Sequence, residues 1–370
     1  MNVVLAIDSF KGCLSSAEAE AAAARAVREC FSDCNVVSLP VSDGGEGMMQ
    51  ALSSSLAGRF VNVAAHDPLM RPLDARYFLT DENMAVIEMA EASGLTLLKP
   101  EERNPLKTTS YGTGELIADA LNRGCRRFIV GIGGSATNDA GLGMMQALGA
   151  KLLERVCKGE NLCDIQGIDL SDLHPALNGA EFVVACDVNN PFCGEKGAAY
   201  VFAPQKGASP EQVEFLDSGM RHVASVIRAT TGVDVTNIPG AGAAGGVGGA
   251  FIAFLNAKLR SGIDLILDAV NLETYLRSAD LVITGEGKAD RQTLMGKVPF
   301  GVLSRAKKYG VPTVLVAGRV EDYGLLRSAC FAEILEVTPV SQPLHEAMRP
   351  ETAKLNIMGA LNKYFEDKLA

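Results

Sequence analysis

From Phe128 to Gly143 the chain reads FIVGIGGSATNDAGLG, and the rest of the sequence is best read outward from here. Phe128-Ile129-Val130 is an apolar run suited to a buried strand, broken by Gly131, Gly133 and Gly134. Ser135, Thr137, Asn138 and Asp139 follow, and a helical pattern starts near Ala140. Strand, glycine turn, polar cluster and helix in that order present unpaired amides at a helix N-terminus, where the dipole favours an anion. The stretch is therefore expected to form half of a phosphate-handling site. The competing reading is a strand-to-helix turn whose glycines serve shape alone.

Similar units flank it. Val3 to Ile7 is a short apolar strand ending at Asp8-Ser9-Phe10-Lys11-Gly12, and Ser15 with Glu18 forms a capping box before an alanine-rich helix reaching about Cys30. Val36 to Leu39 is the next strand, stopping at Asp43-Gly44-Gly45-Glu46-Gly47. Two strands thus end in Asp–Gly loops, the place where open parallel sheets bind ligands, and the order reads as a doubly wound βαβα opening. From about His66 prolines interrupt the chain, and Ala75–Leu79 and Met84–Met89 are expected to pair across a tight turn at 81–83. Hydroxyls and glycines recur at 108–114 before a helix expected from Leu116 to Asn122, and Glu181–Cys186 is a further strand ending at Asp187 and Asn189. Residues 240–249 read GAGAAGGVGG, so something approaches that backbone closely, either a ligand or another part of the chain. Regular alternation resumes after Asp264, with strands at Asp280–Thr284, Val311–Ala317 and Glu333–Val337.

The expected fold class is α/β with two domains. Residues 1–66 plus 265–370 form a doubly wound parallel-sheet domain, discontinuous in sequence; residues 67–264 form an inserted mixed α+β domain, with the active site in the cleft between them. A chain of 370 residues is long for one core, which favours this division. The formal charge of −10 argues against nucleic acid or an anionic membrane as the main partner. No apolar run approaches the ~18 residues of a membrane span, and Asp8 comes too early for a signal peptide. Nine scattered cysteines without CxxC spacing suit free thiols in a cytoplasmic protein. Apolar helix faces do not separate core from interface, so a monomer and a homodimer both remain open.

Asp8, Lys11, Asp43, Glu46, Asp139, Asp187, Asn189, Glu286, Asp290 and Lys297 all fall at strand ends. Carboxylates and lysines beside glycine-rich amides suit phosphoryl transfer, which needs cations for phosphate oxygens, carboxylates for Mg²⁺ and a base for an alcohol proton. Hydrolysis by a nucleophile fits worse, since there is no GxSxG. GxxxxGK[ST] is also absent. The rival is an NAD-dependent dehydrogenase of a small hydroxy acid. Gly240-x-Gly242-x-x-Gly245 and Gly131-x-Gly133-x-x-Ala136 fit dinucleotide fingerprints, with Asp264 and Glu154 at suitable distance. Against it, the strand before Gly240 is weak, and a pyrophosphate would meet Asp139.

Along almost its whole length the chain resembles the type 1 glycerate kinases. The shared blocks are DSFKGCLSS (8–16), DGGEG (43–47), TTSYGTGEL (108–116), GIGGSATNDAGLGMMQALGA (131–150), ACDVNNPF (185–192), PQKGAS (204–209), PGAGAAGGVG (239–248), VITGEG (282–287) and GKVPFGV (296–302). The resemblance implies phosphorylation of D-glycerate by ATP with Mg²⁺, giving 2-phosphoglycerate, with the 3-phosphate as the alternative product. It also implies a flavodoxin-like fold for the discontinuous domain. Departures are Ile7 in place of a usual Pro, Lys288-Ala289 in place of Arg-Ile, and a shorter segment at 151–170. Lys288 keeps charge but loses the planar fork of arginine.

On this footing, Asp187 is either the base or a Mg²⁺ ligand, with Asn189 orienting; Asp139 is the other candidate for the metal. Lys11 and Lys297 neutralise charge on the transferring phosphate, with Asp8, Asp43 and Asp290 as metal or hydroxyl partners. The amides of 131–139 and 240–248 cradle ATP phosphates or the glycerate carboxylate. Gly133, Gly134, Ser135, Thr137, Asn138, Gly242, Gly245 and Gly246 belong to that cradle, together with Gly44, Gly45 and Glu46. Gly245→Val is accordingly expected to abolish nucleotide binding.

Overall fold

Strands covered on both faces must be apolar at nearly every position, and Val3–Ile7, Leu281–Ile283 and Val314–Ala317 meet that demand. The computed structural model describes residues 1–42 and 47–369. It divides the chain into two compact units: Met1–Asp43, Gln50–Leu56 and Ile263–Ala370 form one, and Gly44–Met49 with Ala57–Gly262 the other.

The first unit is built on a parallel sheet of β1 (Asn2–Ile7), β2 (Asn35–Ser38), β9 (Leu281–Ala289), β10 (Thr313–Val320) and β11 (Glu333–Glu336), ordered β11-β10-β9-β1-β2. Counted within the unit, that order is 2-1-3-4-5. Alternate residues feed two cores. Val314 and Val316 join Val3, Leu5, Ile7 and Ile283 against the helices Ser16–Cys30 and Pro350–Leu369. Leu315 and Ala317 face the other way, onto Leu303 of helix Val298–Lys308 and Leu326. The expected capping box is present: Ser15 Oγ accepts the Glu18 N–H, and Glu18 returns the bond to Ser15 N–H at 3.0 Å.

The second unit carries β3 (Gly58–His66), β4 (Pro72–Thr80), β5 (Met84–Glu88), β6 (Arg127–Gly131), β7 (Glu181–Ala185) and β8 (Lys258–Arg260), in that spatial order. β3, β4 and β5 pair antiparallel, and β5 through β8 parallel, so the sheet is mixed. The hairpin across 81–83 is as expected. A boundary at residue 66 is not: β3 pairs along its length with β4, from Gly58↔Thr80 to His66↔Pro72, and belongs wholly to this sheet. Phe128 and Phe182 stack at 4.5 Å across β6 and β7.

Helix Tyr111–Asn122 starts five residues before Leu116 and carries two glycines near its start. A Cβ on Gly112 would strike the His66 carbonyl, and one on Gly114 the Met144 carbonyl. The cluster at 108–114 therefore lets a helix lie close on its neighbours. No helix among the described residues is long and apolar enough to cross a membrane.

Ile357 is fully buried in helix Pro350–Leu369, against helix Ser16–Cys30. Ile357→Ala should cost the first unit about 2–5 kcal/mol through lost burial and a residual cavity, read as a lower urea midpoint. A midpoint unchanged within error would show that this helix does not seal the core.

Candidate active site

In the first unit the carboxyl ends of β1, β9 and β10 surround a cavity of about 580 Å³. Asp8, Lys11, Glu286, Lys297 and Arg319 line it, together with the apolar side chains of Phe10, Leu344 and Met348. The strand ends can meet so closely because two positions carry no side chain: a Cβ on Gly285 would strike the Val316 carbonyl, and one on Gly318 would lie 2.5 Å from the Gly287 carbonyl. Glu286 is almost completely buried; its Oε1 accepts the Thr293 hydroxyl at 2.5 Å, and its Oε2 lies 3.6 Å from Lys297 Nζ. Burial pushes its carboxyl up from the ordinary range, with Thr293 and Lys297 opposing. Asp8 is also buried, its Oδ1 accepting the Ser9 N–H at 2.7 Å. Asp290 stands apart from the cavity lining, capping the turn Arg291–Leu294. Lys288 reaches Glu321 at 3.0 Å and Asp290 at 3.8 Å.

The loop after β6 in the second unit differs from expectation. The helix that follows it spans only Leu142–Ala147, with Gly141 before it at φ 71°. Thr137, Asn138 and Asp139 are fully buried. Asp139 fills the place intended for an outside anion. Its Oδ2 accepts the Ser110 N–H at 2.7 Å, the Ser110 hydroxyl at 2.8 Å, and the Thr109 hydroxyl and Gly143 N–H at 3.3 Å each. Its Oδ1 accepts the Gly141 N–H at 3.1 Å. A carboxylate so enclosed leaves no open coordination position, and the Mg²⁺ role expected of Asp139 is corrected to that of a tie between 109–110 and 139–143. Burial raises its carboxyl, and the donors pull it back. Glu88 acts similarly at the end of β5, accepting the Met49 N–H at 2.7 Å at the start of helix Met48–Ser55.

The second glycine loop is also used by the chain itself. Gly245 has φ 67°, its Cβ would meet the Thr137 carbonyl and lie 2.5 Å from Asn138 Cα, and its own carbonyl accepts the Ala140 N–H at 3.0 Å. A Cβ on Gly246 would lie 2.8 Å from Ala140 Cα, and one on Gly242 would strike the Pro191 carbonyl. These three glycines let two loops stack, so the cradle expected of them is corrected to chain packing. No strand leads directly into Gly240, which removes the dinucleotide context at that fingerprint. The second glycine loop also lies against the segment after β7, where the Gly242 N–H donates to the Asn190 carbonyl at 3.0 Å. There Asp187 and Asn189 are exposed, and Asp187 Oδ1 accepts the Gly262 N–H at 2.9 Å. Gly133 is half-buried and Gly134 exposed, while Ser135 is buried. Asp43, Gly44, Gly45 and Glu46 lie outside the described residues.

One residue escaped the sequence reading. Lys206, at the end of the turn Pro204–Lys206, is buried, and its ammonium donates to Ser135 Oγ and to the Thr137 carbonyl, both at 2.8 Å. Burial pushes its pKa down to about 7, against the pull of Asp139. A perturbed lysine beneath a polar loop is a functional-site signal that composition does not reveal.

Comparison with known proteins identifies the family of the chain. The profile of the Glycerate kinase family matches residues 3–363. This chain belongs to the glycerate kinase family. A glycerate 2-kinase of Escherichia coli strain K12 is 45% identical over 356 residues, covering 94% of this chain and 93% of that one. A glycerate kinase of Halalkalibacterium halodurans is 44% identical over 354 residues, with the same coverage. A crystal structure from Salmonella typhimurium LT2, assigned as glycerate kinase 2, superposes at TM-score 0.89 with 43% identity, covering 100% of this chain and 98% of that one.

Family membership brings the metal of phosphoryl transfer into question. Among the described residues no group of three or more His, Cys, Asp and Glu side chains is placed to hold an ion. Mg²⁺ commonly takes one or two carboxylates and otherwise phosphate oxygens and water. Asp8 and Glu286, beside Lys11 and Lys297, fit that mode.

Gly245→Val should lower stability by about 2–5 kcal/mol, from a left-handed backbone and a clash with Thr137, read as a fall in the unfolding midpoint. The folded fraction should keep its nucleotide affinity. Loss of nucleotide affinity at unchanged stability would return Gly245 to a ligand cradle.

Proposed function

We propose that this chain transfers a phosphoryl group from ATP to the 2-hydroxyl of D-glycerate, giving 2-phosphoglycerate. Its membership of the glycerate kinase family across residues 3–363 carries the reading. The all-parallel 2-1-3-4-5 order of the first unit supports a flavodoxin-like domain, and the two compact units support a second domain inserted into it. The reading is of a cytoplasmic enzyme acting on small soluble substrates, in keeping with its membership of the glycerate kinase family.

The roles divide between the units. In the first, Lys11 and Lys297 neutralise phosphate charge at the strand-end cavity, the apolar shelf of Phe10 and Met348 faces the base of the nucleotide, and Asp8 with Glu286 would hold Mg²⁺. When bound, that ion supplies charge neutralisation on the transferring group. In the second unit the loop 133–138 takes the hydroxy acid. Asp187, exposed at the end of β7 and oriented by the Gly262 N–H, receives the alcohol proton, with Asn189 beside it.

An assay with ATP, Mg²⁺ and D-glycerate, resolving the 2- and 3-phosphates, tests the reaction: 2-phosphoglycerate is expected, and no ATP-dependent product would refute it. Asp187→Asn should lower kcat by about a hundredfold, as loss of a general base does; a fall within about threefold would clear it of that role. Lys11→Met should reduce kcat/KM by a similar factor, about a hundredfold, through lost stabilisation of phosphate charge, and an unchanged value would exclude it.

A further inference from the structure

We infer that Lys206 is a positioning residue for the hydroxy-acid substrate, fixing the loop Ser135–Asn138 from beneath. Its ammonium grips the Ser135 hydroxyl and the Thr137 carbonyl at 2.8 Å each, two points on either side of Ala136. The lysine is itself held fast. Gly207, the next residue, has φ 94°, and a Cβ there would strike the Arg103 carbonyl, so the turn Pro204–Lys206 has no room to slide. The rest of the loop is closely paired. Ala136 donates its N–H to the Ser93 carbonyl at 2.9 Å and accepts the Thr108 hydroxyl at 2.9 Å, while Ala140 N–H is taken by Gly245.

Against that background three atoms stand out. Thr137 Oγ1, Asn138 Oδ1 and Asn138 Nδ2 are buried without a hydrogen-bond partner. A buried polar atom left unpaired costs about 1–3 kcal/mol, so three in two adjacent residues is a concentration a stable loop does not carry without a use. Their chemistry selects the ligand. Asn Oδ1 only accepts, and requires a donor, which the oxygens of a nucleotide phosphate chain do not supply. A hydroxy carboxylate supplies both kinds of group: a hydroxyl to donate to Oδ1, and carboxylate oxygens to accept from Nδ2 and the Thr137 hydroxyl. Lys206 therefore acts through Ser135 and Thr137 on the acceptor substrate. Asp139 is the charged group whose field reaches it.

The inference rests on the glycerate kinase reading, so the wild type is assayed first. An inactive wild type refutes that reading; an active wild type makes the variants decisive for Lys206. Lys206→Met should keep the unfolding midpoint within about 5 °C, because an apolar replacement of a buried charge is often tolerated. It should lower kcat about 30- to 100-fold and raise KM for glycerate about tenfold, as misplacement of a substrate loop does, with KM for ATP within about twofold. Wild-type kcat/KM for glycerate should also decline above about pH 7 as the ammonium loses its proton, a limb absent from Lys206→Met. Ser135→Ala, which removes one grip and leaves the lysine in place, should shift kcat and the glycerate KM in the same directions by about fivefold, and it serves if Lys206→Met does not fold. A rise in KM for ATP alone, a high-pH limb shared by wild type and variant, or kcat within about threefold in both variants would overturn the inference.

Discussion

The carboxylate of Asp139 is the interaction on which the loop after β6 depends. It is fully buried, and five donors from two segments of chain converge on it. Removing a charge from water is costly unless bonds replace the lost hydration, and here backbone amides and hydroxyls do so. The consequence is positional. The residues immediately before it, Thr137 and Asn138, are held in the interior with side-chain polar atoms unspent. Lys206 completes the arrangement from below, its burial cost offset by two short hydrogen bonds and by the nearby negative charge.

The first unit solves a different problem, gathering charge at the edge of a greasy sheet. Its five parallel strands are sandwiched between two apolar layers, so polar groups are driven to the strand ends. There Asp8, Lys11, Glu286 and Lys297 share one cavity. The buried Glu286 is tolerated because Thr293 and Lys297 answer its two oxygens. Such a set suits phosphate and a hard cation, whereas the enclosed amide and hydroxyl of Asn138 and Thr137 suit a ligand that can both donate and accept.

Much of this was legible in the sequence, and the misreadings share one cause. Apolar period and capping residues locate β1, β9, β10 and the helix Ser16–Cys30, because those signals act over neighbouring residues. The strand-end carboxylates and lysines of the cavity were legible for the same reason. Glycine is ambiguous: Gly242, Gly245 and Gly246 signal a close approach but do not say whether ligand or chain approaches, and here it is chain. Asp139 reads as one of a polar cluster and a metal candidate because its donors at 109–110 lie some thirty residues away in sequence. Lys206, in a Pro-Gln-Lys-Gly turn, carries no local sign of burial, and tertiary packing makes it an interior residue. β3 escaped as a member of the second sheet because its register partner is β4 beyond the prolines, a pairing that local pattern does not encode.

The central claim is a division of labour: nucleotide phosphates to the cavity of the first unit, hydroxy acid to the Asp139-anchored loop of the second. Amide hydrogen exchange, followed by mass spectrometry with each substrate added separately, tests it most directly. D-Glycerate alone should slow exchange in peptides covering 133–143, and a non-hydrolysable ATP analogue with Mg²⁺ should slow those covering 8–14 and 286–297. Protection of 133–143 by the nucleotide, with none from glycerate, would contradict the account.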